Sequence, residues 1–179
     1  IIKVKKKFKN IKKVFRNERN LSTAFISGLK ISTGRLVVLM DSDMQHDPRN
    51  IKKSIIKMQK DKSDMIIGSR FLKGSKNFKG TFISLFRLSL SKTFINFFNL
   101  IFSSNISDPL SGFFVVKKSK IYGKEKFLYK NGFKIVMDYY LLLKNKIKIT
   151  EIPISLNKRQ NGKSKLNFKI LYLIIKQVF

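Results

Sequence analysis

The stretch LVVLMDSDMQHDP, residues 36–48, constrains the fold of this chain more than any other segment. The run from Arg35 to Met40 does not alternate between apolar and polar residues, which predicts a strand buried on both faces. Three aspartates follow within seven residues. The last of them, Asp47, precedes Pro48, a pair typical of a helix N-cap followed by proline at the first helical position. We therefore expect a buried strand, a short acidic loop and a helix that ends near Lys60.

Helices and strands alternate on either side of this stretch. Asn20 is placed to cap a helix through about Ile31, in which apolar residues recur at three- and four-residue steps. The segment DMIIGS, residues 64–69, predicts a second short buried strand. This order favours a mainly parallel sheet with helices on both faces, so we assign the chain to the α/β class.

A longer helix, predicted from Thr81 to Ser103, carries two apolar stripes. The first consists of Ile83, Phe86, Leu90, Phe94, Phe97 and Ile101. The second consists of Leu85, Leu88, Ile95, Phe98 and Phe102. The segment Lys165–Phe179 predicts a similar helix with lysines along one line. Basic and apolar faces together are typical of a helix at a membrane interface; the alternative is an ordinary buried helix.

The net charge of +29, from 39 basic and 10 acidic residues, predicts attraction to polyanions. Nucleic acid, an anionic membrane and phosphorylated substrates are the candidate classes. An AT-rich coding sequence is an alternative source of the lysine excess, but it explains the scarcity of acidic residues less well. The absence of cysteine excludes a disulfide framework and a cysteine-based metal site.

The positions of Asp41 and Asp43 predict a metal site. Ligands of an open parallel sheet bind beyond the carboxyl ends of its strands, and both aspartates follow such an end. Two carboxylates so close repel each other unless a cation lies beside them, and Gln45 adds a neutral oxygen at the same spacing. Mg²⁺ or Mn²⁺ would accept these oxygens and complete its shell with substrate phosphates. The alternative is a pair of solvated loop aspartates; His46 is expected to be structural and Asp47 to cap the helix.

These segments resemble the metal-binding region of family 2 glycosyltransferases with the GT-A fold, especially the dolichol-phosphate mannosyltransferases and their bacterial polyprenyl-phosphate relatives. The likeness begins with VVLMDSDMQHDP. It includes NLSTAFISGLKISTG, which lies before that segment, and it continues after it in order through DMIIGSRF, DPLSGFFVVKKS, GFKIVMD and EIPISLNKRQNGKSKL. Ser32 stands where the family usually has alanine, and Asp138 where it has glutamate. The resemblance spans about Asn20 to Leu166, and six such segments are far more specific than any one of them.

The resemblance implies transfer of a sugar from a GDP- or UDP-linked donor to a polyprenyl phosphate of the dolichyl or undecaprenyl type. It implies that Asp41, Asp43 and Gln45 hold Mg²⁺ or Mn²⁺ and bind the nucleotide sugar. Asp43 and Asp108 are the expected catalytic residues, and Asp108 would orient the acceptor or the sugar; its alternative interpretation is an Asp-Pro turn with Ser111 and Gly112. The residues implied to bind the substrate phosphate are Arg70, Arg87, Ser91, Arg159 and Lys165.

The resemblance also has consequences for the whole chain. The nucleotide-binding half that opens the family has no counterpart before Asn20, so we expect an N-terminally truncated GT-A domain over residues 1–165. Residues 166–179 are expected to form an amphipathic interfacial helix. A lipid acceptor and a basic surface favour peripheral attachment to an anionic membrane surface, at its cytoplasmic face.

Two other functions stay open at this point. One is an inactive, truncated glycosyltransferase remnant that keeps the fold and the membrane contacts without turnover. The other is a basic module that binds nucleic acid or a membrane. Because the lysines are spread along the whole chain and no reading motif for nucleic acid is present, we expect no nucleic-acid partner.

Overall fold

The computed structural model describes residues 10–18, 20–75, 82–130, 132 and 134–157, with the backbone alone for residues 82–88. Helices and strands alternate along the described chain. Their order is α1 (Leu21–Ile31), β1 (Leu36–Met40), α2 (Arg49–Asp61), β2 (Met65–Ser69), α3 (Phe82–Phe102), β3 (Phe113–Lys117), α4 (Lys118–Ile121), a 3₁₀ turn (Glu125–Phe127), α5 (Ile135–Leu143) and β4 (Ile149–Pro153). This order confirms the predicted α/β class.

Both predicted helix starts are present. The Asn20 side-chain oxygen Oδ1 accepts a hydrogen bond from the Thr23 N–H at 2.8 Å, which satisfies an otherwise unpaired donor in the first turn of α1. Helix α2 begins at Arg49, and the Asp47 carboxylate accepts a hydrogen bond from the Arg49 N–H at 2.9 Å. Asp47 therefore binds the first turn of α2, but the N-cap residue is Pro48 and not Asp47, so the predicted positions of this pair are wrong by one residue.

The four strands form one sheet in the order β1-β3-β2-β4. Strand β3 is antiparallel to both β1 and β2, whereas β2 and β4 are parallel. Three strands therefore run in one direction and β3 runs in the other. We expected a mainly parallel sheet. The observed sheet is mixed, because β3 lies between β1 and β2 and runs in the opposite direction.

Apolar residues cover both faces of the sheet, since successive side chains of a strand point to opposite sides. On one face, Phe114 and Val116 of β3 pack with residues of α1, α3 and α5. On the other face, Phe113 and Val115 pack against Met58 of α2. Helices thus pack on both faces of the sheet.

The expectation that β1 is buried on both faces is wrong. Val37 is buried, but Val38 is 36% exposed, because β1 is an edge strand of the described sheet and no described helix covers that side chain. Strand β2 is fully buried, since it lies between two neighbours.

Helix α3 confirms the predicted long helix and separates most of its two stripes, although Phe94 of the first stripe packs partly against the core. Ile95 and Phe98 of the second stripe are buried in the core, whereas Leu90, Phe97 and Ile101 of the first stripe are exposed. None of the described helices combines the length and the apolar character that a membrane span requires. The proposed boundary at residue 165 and the helix over residues 166–179 lie outside the described residues.

Candidate functional site

The directions of the strands bring four chain segments to one edge of the sheet. Strands β1, β2 and β4 end at this edge, and β3 begins there. Asp41 follows β1 and Arg70 follows β2, while the segment Asp108–Gly112 leads into β3. Residues that are far apart in sequence therefore meet where the strands stop, and they do so because β3 is antiparallel.

Asp41 lies directly against Gly112. The Asp41 side chain is exposed, and a Cβ atom added to Gly112 would collide with its Oδ2 and lie 3.0 Å from its Cγ. Only glycine leaves room for this approach. The DPLSGFF segment therefore forms the support beneath the first carboxylate of the acidic loop.

The acidic loop folds back on the segment that follows β4. The Gln45 N–H donates to Asp43 Oδ1 at 3.1 Å, and Met44 between them has a left-handed backbone with φ of 64°. The Gln45 side-chain amide donates to the Asn157 carbonyl at 3.2 Å, and the Asn157 N–H donates to the Gln45 carbonyl at 2.9 Å. These bonds fix the backbone that carries Asp43 and Gln45.

His46 is buried behind the carboxylates. Its ring stacks on Phe113 with centroids 5.8 Å apart, and its Nδ1 has no hydrogen-bond partner among the described residues. Burial lowers the pKa of His46, against the opposing effects of Asp41 and Asp43. The imidazole is therefore neutral at pH 7 and packs as part of the loop, which fits the structural role expected for it.

Arg70 and Asp108 form a buried ion pair. Arg70 Nε donates to Asp108 Oδ2 at 2.7 Å, and Nη2 donates to Oδ1 at 2.8 Å. The Arg70 backbone N–H also donates to Oδ2, at 3.1 Å. The Asp108 side chain is completely buried, whereas 21% of the Arg70 side chain is exposed. The pair thus presents a cation, and not a carboxylate, to the solvent side of the edge.

Lys134 is a further cation at this edge that the sequence analysis did not single out. Its ammonium donates to the Leu110 carbonyl at 3.0 Å. Burial, reinforced by Arg70, lowers the pKa of Lys134 to about 8, and Asp108 and Asp41 oppose the shift. The one available signal was its position inside GFKIVMD, a segment that already belonged to the resemblance.

The loop before β3 is held by a second carboxylate. Glu151 of β4 accepts two hydrogen bonds from the Ser107 N–H, at 3.0 and 3.1 Å, and one from the Ser107 hydroxyl at 2.8 Å. The Ser107 hydroxyl also lies 2.5 Å from that of Ser69 at the end of β2. Burial raises the pKa of Glu151, although the bonds from Ser107 act in the opposite direction. The loop that carries Asp108 is therefore tied to two strands.

The described structure thus brings Asp41, Asp43, Gln45, Arg70 and Asp108 to one edge. Ser91 is half-buried on α3, one turn after Arg87. The side chain of Arg87, and the whole of Arg159 and Lys165, lie outside the described residues. Their predicted roles in phosphate binding stay predictions.

The donor set of the acidic loop suits a hard divalent cation with substrate oxygens in its shell. Across the described part of the chain, no cluster of three or more His, Cys, Asp or Glu residues could hold a metal ion. Asp41 and Asp43 are two carboxylates, and Gln45 contributes an amide. Such a set leaves positions that phosphate oxygens would fill, as is common for Mg²⁺.

A cavity of about 880 Å³ lies elsewhere, where β1 begins. Its walls include Arg35, Met58, Lys118 and Tyr122. None of the residues that the sequence analysis assigned to substrate or metal lines it. The candidate site is therefore the polar edge where β1 ends.

The comparisons with known proteins agree with this geometry. The sequence profile described as Glycosyl transferase family 2 matches residues 1–123. Dolichol-phosphate mannosyltransferases of Pyrococcus furiosus, Mycosarcoma maydis and Saccharomyces cerevisiae are 37%, 31% and 28% identical to this chain. Each alignment covers 90% of this chain and 45%, 54% and 60% of the respective relative. The chain thus spans about half the length of the curated relatives it matches.

Solved structures share the fold. Glucosyl-3-phosphoglycerate synthase from Mycobacterium tuberculosis, in complex with Mn²⁺, UDP-glucose and phosphoglyceric acid, superposes with a TM-score of 0.61 at 11% identity. The match covers 92% of this chain and 56% of the synthase. The complex of that synthase with UDP gives a TM-score of 0.61 at 13% identity. At these identities the likeness shows the fold alone, and it confirms the GT-A architecture.

Proposed function

Because this chain belongs to glycosyltransferase family 2, we propose that it transfers a sugar from a nucleotide diphosphate sugar to a polyprenyl phosphate. The names of the curated relatives support this acceptor class. The observation that carries the proposal is the pairing of opposite charges at one sheet edge. The carboxylates of Asp41 and Asp43 lie in the acidic loop, and the cations of Arg70 and Lys134 share electrostatic interactions with Asp41.

Carboxylates and cations together suit a reaction between two phosphorylated substrates. Asp41, Asp43 and Gln45 would hold Mg²⁺ or Mn²⁺ against the donor. When bound, the ion supplies Lewis-acid stabilisation of the leaving diphosphate. Gly112 fixes the place of Asp41, and the bonds of Gln45 to Asn157 fix the loop.

The acceptor phosphate is already an anion, so the chain's task is to hold it beside the sugar. Arg70 presents a planar guanidinium suited to phosphate oxygens, and Lys134 adds a compact charge nearby. Arg87, Ser91, Arg159 and Lys165 are proposed to complete this set. A proton acceptor of high basicity is not required for an anionic nucleophile, so positioning and electrostatics carry most of the catalysis.

The exposed face of α3 supports peripheral binding at a membrane. Phe97 and Leu100 are 51% and 80% exposed, and Leu90 and Ile101 extend the same apolar surface. A net charge of +29 would draw this surface to anionic lipids, where each basic residue near the headgroups contributes about 1 kcal/mol. We propose that the chain works on the cytoplasmic face, where residues 166–179 would add a second interfacial helix.

A transfer assay tests the proposed function. The protein is incubated with GDP-mannose or UDP-glucose, with dolichyl or undecaprenyl phosphate in mixed micelles, and with Mn²⁺ or Mg²⁺. We expect sugar transfer that requires the divalent ion and falls at least about 100-fold in D41N and in D43N. The matched control is D61N, because the Asp61 carboxylate pairs with Lys57 on α2, away from the site. Transfer that persists with a chelator, or equally in D41N and D61N, would refute the assignment.

A further inference from the structure

Asp108 does not present its carboxylate to a substrate. Its side chain is completely buried, and both of its oxygens accept hydrogen bonds from Arg70. A group that takes a proton from a substrate must come within hydrogen-bond reach of it. Asp108 would have to leave Arg70 and its buried position to do so.

The loop around Asp108 opposes such a movement. Glu151 binds the Ser107 N–H and hydroxyl on one side. On the other side the Ser111 hydroxyl donates to the Gly68 carbonyl at 2.6 Å, and Ser111 itself is buried. Hydrogen bonds of Ser107 to Glu151 and of Ser111 to Gly68 therefore hold the loop on both sides of Asp108, and they connect it to β4 and β2.

Arg70 is fixed by Asp108 in both position and plane. The Nε–Nη2 edge of the guanidinium lies on the carboxylate, and the Phe71 ring lies 5.3 Å from the guanidinium carbon. An arginine held along this edge keeps its Nη1 end on the side away from the carboxylate. That end is the one able to meet phosphate oxygens in the site.

We propose that Asp108 is a positioning residue, which orients Arg70 for a phosphate group and takes no part in proton transfer. The inference rests on the proposed function for the identity of the phosphate, namely that of the polyprenyl acceptor. It replaces the catalytic role that the sequence resemblance implies for Asp108. The role of Arg70 as a phosphate-binding residue is retained.

A double-mutant cycle tests this proposal. Binding of inorganic phosphate and pyrophosphate is measured by calorimetry for the wild type, R70Q, D108N and R70Q/D108N. We expect each single substitution to weaken binding at least about tenfold, and the double variant to bind within about twofold of R70Q. In the transfer assay, D108N should raise the KM for polyprenyl phosphate more than it lowers kcat.

Two results would overturn the proposal. One is phosphate affinity in D108N equal to that of the wild type, together with a kcat that falls about 100-fold or more at unchanged KM, as loss of a general base would produce. The other is a double variant in which the two losses add. If the wild type transfers no sugar but the effects of R70Q and D108N on phosphate binding are still coupled, the proposed function is wrong and the positioning role of Asp108 stands.

A measurement without substitutions covers the case in which D108N does not fold. In the ¹⁵N-labelled wild type, the Arg70 Nε–H resonance is followed while pyrophosphate is added. We expect this proton to stay protected from exchange while the Nη resonances shift. Loss of Nε–H protection on binding would show that Asp108 releases Arg70, which contradicts the proposal.

Discussion

Gly112 leaves room for the Asp41 carboxylate, which lies directly against it. A methyl group at this position would meet the carboxylate of Asp41, the residue that directly follows β1. Asp41 would therefore have to turn away from the place where we propose that it binds the cation.

We predict that G112A weakens Mn²⁺ binding at least about tenfold, because the displaced carboxylate no longer contributes a ligand. Gly28 of α1 is the control, since a Cβ there meets nothing within 4 Å. G28A should keep Mn²⁺ affinity and stabilise the protein by about 0.5–1 kcal/mol, because alanine costs less conformational entropy in a helix. Equal Mn²⁺ affinities in the two variants would count against the role of Gly112.

Glu151 gives stability an unusual dependence on pH. Burial raises its pKa above the ordinary value of 4.5, so the folded state binds more protons than the unfolded state above that pH. Its contribution to the free energy of unfolding is therefore fully present below pH 4.5 and declines as pH rises through the raised pKa. We predict that E151Q removes this decline, as urea unfolding midpoints of the two proteins between pH 4.5 and 7 would show.

Asp64 supplies a control of opposite sign. Burial acts to raise its pKa, but the hydrogen bonds from Lys117 and the Lys148 N–H outweigh that effect and lower it below 3.8. The contribution of Asp64 is therefore lost as pH falls through this lowered pKa, and D64N should change stability mainly above it. A wild-type midpoint that tracks that of E151Q across the range would contradict the account of Glu151.

Among the elements, the burial predicted from sequence agrees well with the structure for α3 and least well for β1. The two stripes of α3 could be counted in the sequence, but which stripe faces the core depends on its packing with α5 and the sheet. Phe98 meets Tyr140 of α5 at 6.3 Å between ring centroids, and this places Phe97 on the outside. Burial of β1 was overestimated because an apolar run does not reveal whether a strand has one neighbour or two.

We predict that F97S/L100S reduces binding to vesicles containing phosphatidylglycerol at least about tenfold, since it removes two exposed apolar side chains from the proposed interface. The unfolding midpoint should change little, because neither residue is buried. F127S is the matched control, since Phe127 is 60% exposed but lies on the 3₁₀ turn. Equal losses in both variants would mean that binding depends on general hydrophobicity and not on α3.

For the whole molecule, local patterns predicted α1, α2 and α3, the cap of α1 and the acidic loop, because those depend on neighbours in sequence. The order of segments predicted the fold through family resemblance. The sequence did not predict that β3 runs antiparallel between β1 and β2, since strand pairing is decided by contacts between distant segments. It also did not show that Asp108 is enclosed by Arg70, or that Lys134 reaches the same edge.

The central claim is that the carboxylates of Asp41 and Asp43 hold a divalent cation beside a diphosphate. Mn²⁺ titration followed by electron paramagnetic resonance, with and without inorganic pyrophosphate, measures this without relying on turnover. We predict that pyrophosphate tightens Mn²⁺ binding in the wild type, and that D41N and D43N each weaken it at least about tenfold while D61N does not. Mn²⁺ affinity that is the same in D41N, D43N and D61N would contradict the claim.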